Sequence, residues 1–217
     1  MSLVSLAFAT ILISPTDIPV PPLPAFSVGH FSKSTFKITV NQPGKDKPMV
    51  IPGKMERKDV RSEEKGVRVV TITLDVPEGG QGKSNFELKF DASCIPLGCK
   101  ELGEKASQDG MNALMLMFQE PLWPKAKAAS GWKATLPNQD DAKQPILVDC
   151  KAELDKDGTI VLTQKLTQTK ELVSAGLKLE SVLRINAKTG KVKSVHESIA
   201  VKSQGGPDMT ILFDIQS

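Results

Sequence analysis

Along most of this chain apolar and polar residues alternate one for one. Phe36, Ile38 and Val40 are interleaved with Thr35, Lys37 and Thr39, and Val70, Ile72, Leu74 and Val76 with Thr71, Thr73 and Asp75. Phe86, Leu88 and Phe90 alternate with Asn85, Glu87 and Lys89. Successive side chains of a strand point to opposite faces, so each segment offers one face to a core and one to water. The second half repeats the theme. Val148, Cys150, Ala152 and Leu154 share a face, the turn at residues 155–158 leads into Ile160 and Leu162, and Leu177, Leu179, Leu183 and Ile185 form the next face. Residues 186–190 turn the chain into an alternating stretch over 192–201, and Met209, Ile211, Phe213 and Ile215 complete the series. Hydrophobicity on one face only predicts antiparallel pairing, because a parallel sheet is covered on both faces. Short polar turns ending in Gly158 and Gly190 suit hairpins between sequence neighbours.

One segment departs from this period. Met111, Leu114, Met115 and Phe118 recur at i, i+3, i+4 and i+7, which predicts a helix within about 104–120. Asp109 is placed to cap it, and Pro121 ends it because proline cannot continue the hydrogen-bond ladder. Ala113, Leu116 and Met117 extend the apolar surface almost all round, so the helix should be buried against the sheet. The expected fold is therefore mainly β: a curved antiparallel sheet or half-barrel of at least six strands with one main helix packed on it.

The amino-terminal stretch reads differently. Residues 3–14 are apolar and uncharged, too few for a spanning helix of about 20 residues but of the length of a signal-peptide core. A basic flank and a well-placed cleavage site are missing, and a retained core strand is the other reading. Five prolines in residues 15–24 favour an extended spacer. The expected organisation is a leader remnant over 1–14, a proline-rich linker over 15–33 and a single β-rich domain over 34–217.

Charge narrows the partner classes. A net charge of +3 with both signs interspersed, and no aromatics set among basic residues, give no footprint for nucleic acid. The mixed-sign run over 54–68 suits a solvated strand pair, with an interaction surface as the sharper reading. Cys94 and Cys99 bracket Ile-Pro-Leu-Gly, a turn that could bring them within bridging range on export, whereas Cys150 shares an apolar strand face and should be a buried thiol. No metal site is expected, because neither His30 nor His196 has ligand spacing to these cysteines.

Motifs that suggest chemistry dissolve on inspection. Residues 79–84 (GGQGKS) lack the first glycine of a phosphate loop and precede a strand rather than a helix. The acidic turn at 155–158 lacks the remaining ligands of a calcium loop. His196 lies on the same face as Ser194 and Ser198 and so toward water, while Glu197 falls on the opposite, apolar face with Val195 and Ile199. No nucleophile is set beside this histidine, and neither an enzyme nor a cofactor is expected.

Residues 118–132 (FQEPLWPKAKAASGW), with Gly131-Trp132 before a strand and residues 186–192 (NAKTGKV) forming a late hairpin, resemble a family of exported bacterial β-rich proteins of unknown function. The resemblance covers the second half of the chain and rests mostly on turn chemistry. The Cys94 and Cys99 pair and the absence of tyrosine depart from it. The architecture is also similar to lipoprotein-carrier half-barrels, in which a curved sheet wraps a helix and holds an acyl chain. The implied function is an exported, periplasmic or cell-envelope domain that binds an apolar small molecule or lipid without transforming it. Met111, Met115, Phe118, Trp123 and Trp132 are the expected ligand contacts. The competing expectation is a structural or protein-interaction module that uses the 54–68 region or an edge strand.

Overall fold

The computed structural model describes residues 18, 20–22, 27–77, 82–103, 111–124, 131–138, 144–202 and 209–216. Among them, eleven strands form one antiparallel sheet. Strands β1 (Phe31–Asn41), β2 (Met49–Val60), β3 (Arg68–Val76), β4 (Gly82–Phe90) and β5 (Pro96–Leu102) make a first meander. Helix α1 (Met111–Phe118) follows. Strands β6 (Trp132–Leu136), β7 (Ile146–Leu154), β8 (Thr159–Leu166), β9 (Lys178–Asn186), β10 (Val192–Val201) and β11 (Met209–Gln216) make the second, with helix α2 (Lys170–Ala175) between β8 and β9.

The strand order is β5-β4-β3-β2-β1-β11-β10-β9-β8-β7-β6. The two meanders therefore join through the β1–β11 ladder, in which Ile38 pairs with Phe213. The sheet curls until its far edges, β5 and β6, come together, and the result is a nearly closed barrel. No ladder links β5 to β6 among the described residues. The connection from β5 to β6 carries α1, whose Ala113, Leu116, Met117 and Phe118 are buried in the common core. That core is built from the inward face of every long strand, including Phe86, Leu88, Val148, Leu162, Leu183 and Ile185. Phe36 stacks on Phe213 with ring centroids 4.7 Å apart. Phe36 also covers Gly53, its partner on β2, where any Cβ would collide with the ring.

The antiparallel, mainly β architecture with a helix against it agrees with the sequence expectation, although the sheet is larger and closes further than a half-barrel. One particular lies partly outside the described residues and two differ. The described helix spans residues 111–118, and 104–110, with the expected cap Asp109, lie outside the described residues. The face of α1 that enters the core is centred on Ala113, Leu116 and Met117, while Met111, Leu114 and Met115 are only partly buried. A helix apolar on nearly every side has no pattern to fix its rotation, so packing sets it. The one-turn helix α2 is additional, capped by Thr169 at its start and by Gly176 in the left-handed conformation at its end.

Residues 1–14, the expected leader, lie outside the described residues. Within 15–33, Ile18 and Pro21 are buried, and β1 begins at Phe31. No helix of the described residues is long and apolar enough to cross a membrane.

Cys94 and Cys99 are free thiols rather than the expected disulfide. Cys94 occupies the turn before β5, where Arg68 donates to its Sγ at 3.0 Å. Cys99 is not in that loop: it points inward from β5 opposite Leu88. Strand rise between Pro96 and Cys99 carries the second thiol roughly 10 Å along β5, beyond bridging reach of the turn. Cys150 is buried on β7, as its face predicts. Burial pushes the Cys99 and Cys150 thiols up to about 12. Burial also raises the part-buried Cys94 thiol, against the opposing pull of Arg68, so native protein at pH 8 is expected to give up Cys94 first and slowly to a disulfide reagent, and the other two only on unfolding. Peptide mapping checks this; rapid labelling of Cys150, or a recovered Cys94–Cys99 cross-link, would contradict it.

Candidate functional site

The register of the sheet lines up one inward-facing row across eight strands. It runs Trp132, Cys150, Gln164, Ser181, Glu197, Phe213, Ile38 and Ile51, each paired with the next. Its middle is polar. Gln164, Ser181 and Glu197 are fully buried, although each sits in a strand whose other inward residues are apolar. A buried polar group requires a partner or costs free energy, so what these three meet matters.

Most of the answer lies in the chain that follows α1. The last carbonyls of a helix have no intrahelical donors, and residues 119–123 run through the core without a ladder of their own. Gln164 serves both needs. Its Nε2 donates to the carbonyls of Phe118 (2.9 Å) and Glu120 (3.1 Å), and its Oε1 accepts from the backbone N–H of Leu122 (2.7 Å). Trp132 Nε1 donates to the Leu122 carbonyl at 2.8 Å. Gln119 Nε2 donates to Glu197 Oε2 at 2.9 Å. Arg57 reaches inward from β2 to pair with Glu120 at 2.5 Å. Burial works against the charged guanidinium, but the Glu120 charge and hydrogen bond outweigh it and hold Arg57 above its ordinary range.

Two buried side-chain oxygens lack a hydrogen-bond partner among the described residues, Ser181 Oγ and Glu197 Oε1. They belong to residues directly opposite each other on β9 and β10. Burial raises the Glu197 carboxyl from 4.5 to about 8, against the opposing pull of the Gln119 hydrogen bond. The shift favours the neutral form of this group toward neutral pH.

On the first-meander side of this polar row the barrel holds a cavity of about 260 Å³. Ile38, Ile51, Leu74, Val76, Phe86 and Phe213 contribute its apolar wall, and Met115, Leu116 and Gln119 contribute the α1 side. A smaller hollow of about 190 Å³ lies at the β5–β6 seam, between Ile95 and the Trp123 and Trp132 rings. Those rings stack at 5.9 Å.

The five expected ligand contacts are thus not gathered at one place. Met115 lines the larger cavity, and Trp123 and Trp132 line the seam hollow. Phe118 packs in the core, and Met111 lies partly exposed at the start of α1. His196 is on the outer face, 2.6 Å from Asp214. Gln119, Gln164, Ser181, Glu197 and the Arg57–Glu120 pair form the polar interior that sequence reasoning passed over. Its signal was a polar residue at an inward strand position: Gln164 between Leu162 and Leu166, Ser181 between Leu179 and Leu183, Glu197 between Val195 and Ile199. The chain matches no protein-family model, no characterised protein and no solved structure.

Proposed function

We propose that this protein binds a small apolar molecule, without transforming it, in the cavity between α1 and the inner faces of β1–β4 and β11. The observation that carries this reading is the pocket itself: space of about 260 Å³, partly open to solvent, with a mostly hydrocarbon wall. Its walls at Ile38, Ile51, Leu74, Val76 and Met115 are only partly buried, so it opens to solvent, and a small apolar molecule seated there would cover that hydrocarbon surface. An apolar cavity of ~150 Å³ suffices for benzene, and drug-sized ligands use about 300 Å³ and more, so the fitting ligand is small. The non-catalytic part rests on Gln164, whose amide is committed to residues 118–122, and on Arg57 Nη1, which is committed to Glu120. The apolar residues 3–14 and the prolines after them support placing this binding in the cell envelope.

Met115 decides the matter experimentally. As a plain core residue it would lose about 2–5 kcal/mol on truncation. As a wall of pre-existing space, Met115→Ala is expected to lose less than about 1.5 kcal/mol and to keep binding butylbenzene. Butylbenzene should raise the wild-type melting temperature by linkage, and Met115→Trp or Ile51→Phe should abolish the rise by filling the space. A full core-sized loss in Met115→Ala, with butylbenzene inert toward wild type, would sink the reading.

A further inference from the structure

The polar part of the cavity wall defines the ligand more closely. Among the described residues, Ser84, Asn112 and Gln119 are its polar lining residues, and no Lys, Arg, His, Asp or Glu lines it. An ionised group that enters it gives up part of its hydration and meets no opposite charge among the described lining residues. Gln119 is itself held: its Nε2 donates to Glu197 Oε2 at 2.9 Å, and it is 5% exposed. Burial favours the neutral form of the carboxyl behind it, and that carboxyl does not itself line the pocket. The part-buried ion pair of Arg57 with Glu120 is closed on itself at 2.5 Å, and neither residue lines the pocket. The wall therefore offers hydrocarbon on most sides and neutral hydrogen-bonding groups near α1. By volume it holds about ten heavy atoms, scaling from ~150 Å³ for benzene.

We propose that the cavity selects an uncharged molecule of this size that carries one hydrogen-bonding group, such as a hydroxyl, received by the amide of Gln119. This rests on the binding reading above and adds a head-group chemistry to it. A hydroxyl both donates and accepts, so it suits an amide without requiring a counter-charge.

Four probes on one scaffold test it: butylbenzene, 4-phenyl-1-butanol, 4-phenylbutanoate and 4-phenylbutylamine, titrated calorimetrically against the full chain at pH 7. The alcohol is expected to bind at least ~100-fold more tightly than the carboxylate or the ammonium ion, which must be buried unpaired. Gln119→Met should weaken the alcohol about tenfold and leave butylbenzene within about twofold, the loss of one hydrogen bond. Should that variant fail to fold, the wild-type ranking decides alone. Tightest binding by either ion, or equal weakening of alcohol and butylbenzene, would overturn the inference. Binding of butylbenzene with no preference among head groups would also overturn it while leaving the apolar-binding reading intact. Failure of all four probes would overturn both.

Discussion

Gln164→Leu is expected to destabilise the protein by about 3–6 kcal/mol, with urea denaturation as the measurement. The side chain is fully buried and holds three backbone groups: the carbonyls of Phe118 and Glu120 and the N–H of Leu122. Leucine has similar bulk and no hydrogen-bonding atom, so the substitution changes little in volume. It leaves those groups in the core without partners, and an orphaned buried backbone group costs about 1–3 kcal/mol. The affected segment lies where a helix has run out of internal donors for its last carbonyls and a proline at position 121 supplies none. A local reporter accompanies the global one. Trp123 and Trp132 are the chain's two tryptophans, and both are bound to this segment, Trp132 through the Leu122 carbonyl. Their fluorescence should change in native Gln164→Leu before any denaturant is added. A loss below about 1 kcal/mol with unchanged emission would mean that water or a rearranged backbone satisfies these groups.

The strand content of this protein was legible because period two is a direct image of one-sided burial. Phe86, Leu88 and Phe90 read as an inward face and are one. What alternation cannot show is how many such strands close into one sheet, because β1 meets β11 across nearly the whole chain. The rotation of α1 was illegible for a different reason: with Ala113, Leu114, Met115, Leu116 and Met117 in succession, every side is apolar. Met115 consequently faces a cavity, while Met117 fills the core. The exposed Leu154 shows the same weakness at a strand end, where it continues the pattern of Val148, Cys150 and Ala152 but has no sheet interior to enter. Helix α2 did leave a trace, Thr169 and Gly176 at cap spacing, which six residues of helix were too short to reinforce.

The polar interior was legible, but only Glu197 was read onto the apolar face, and nothing was built on it. Reading strands by their apolar members passes over the polar ones on the same face, yet a glutamate between Val195 and Ile199 says more about a site than another valine would. Such a residue is retained against its desolvation cost. Here the cost is partly offset by seating the segment after α1, which ties the helix, the cavity wall and the sheet into one unit through Gln119.

Glu197 makes that cost measurable as a dependence on pH. In the folded protein burial raises its carboxyl to about 8, from an ordinary 4.5. Between these values the unfolded chain has released the proton and the folded chain retains it, so the unfolded state binds fewer protons and stability falls as pH rises. The contribution of this group is fully present below pH 4.5, declines through the window up to about 8, and is flat above it. At 1.36 kcal/mol per pH unit, the decline amounts to roughly 4 kcal/mol between pH 5 and pH 8.5. Glu197→Gln removes the titration and leaves an amide oxygen to accept from Gln119. The variant is therefore expected to match wild type near pH 5 and to exceed it by up to about 4 kcal/mol at pH 8.5. The perturbed carboxylates of the outer surface do not mimic this. Asp149, held low by the Thr167 hydroxyl and by Lys133, and Asp157, held low by its bonds to Thr159, lose their contribution as pH falls through the acid range instead. They are also common to both proteins, so they cancel in the difference. Urea midpoints for the two proteins across this range give the answer. Parallel curves would show that Glu197 is solvated or ionised in the native state, and that the neutral interior behind Gln119 does not exist.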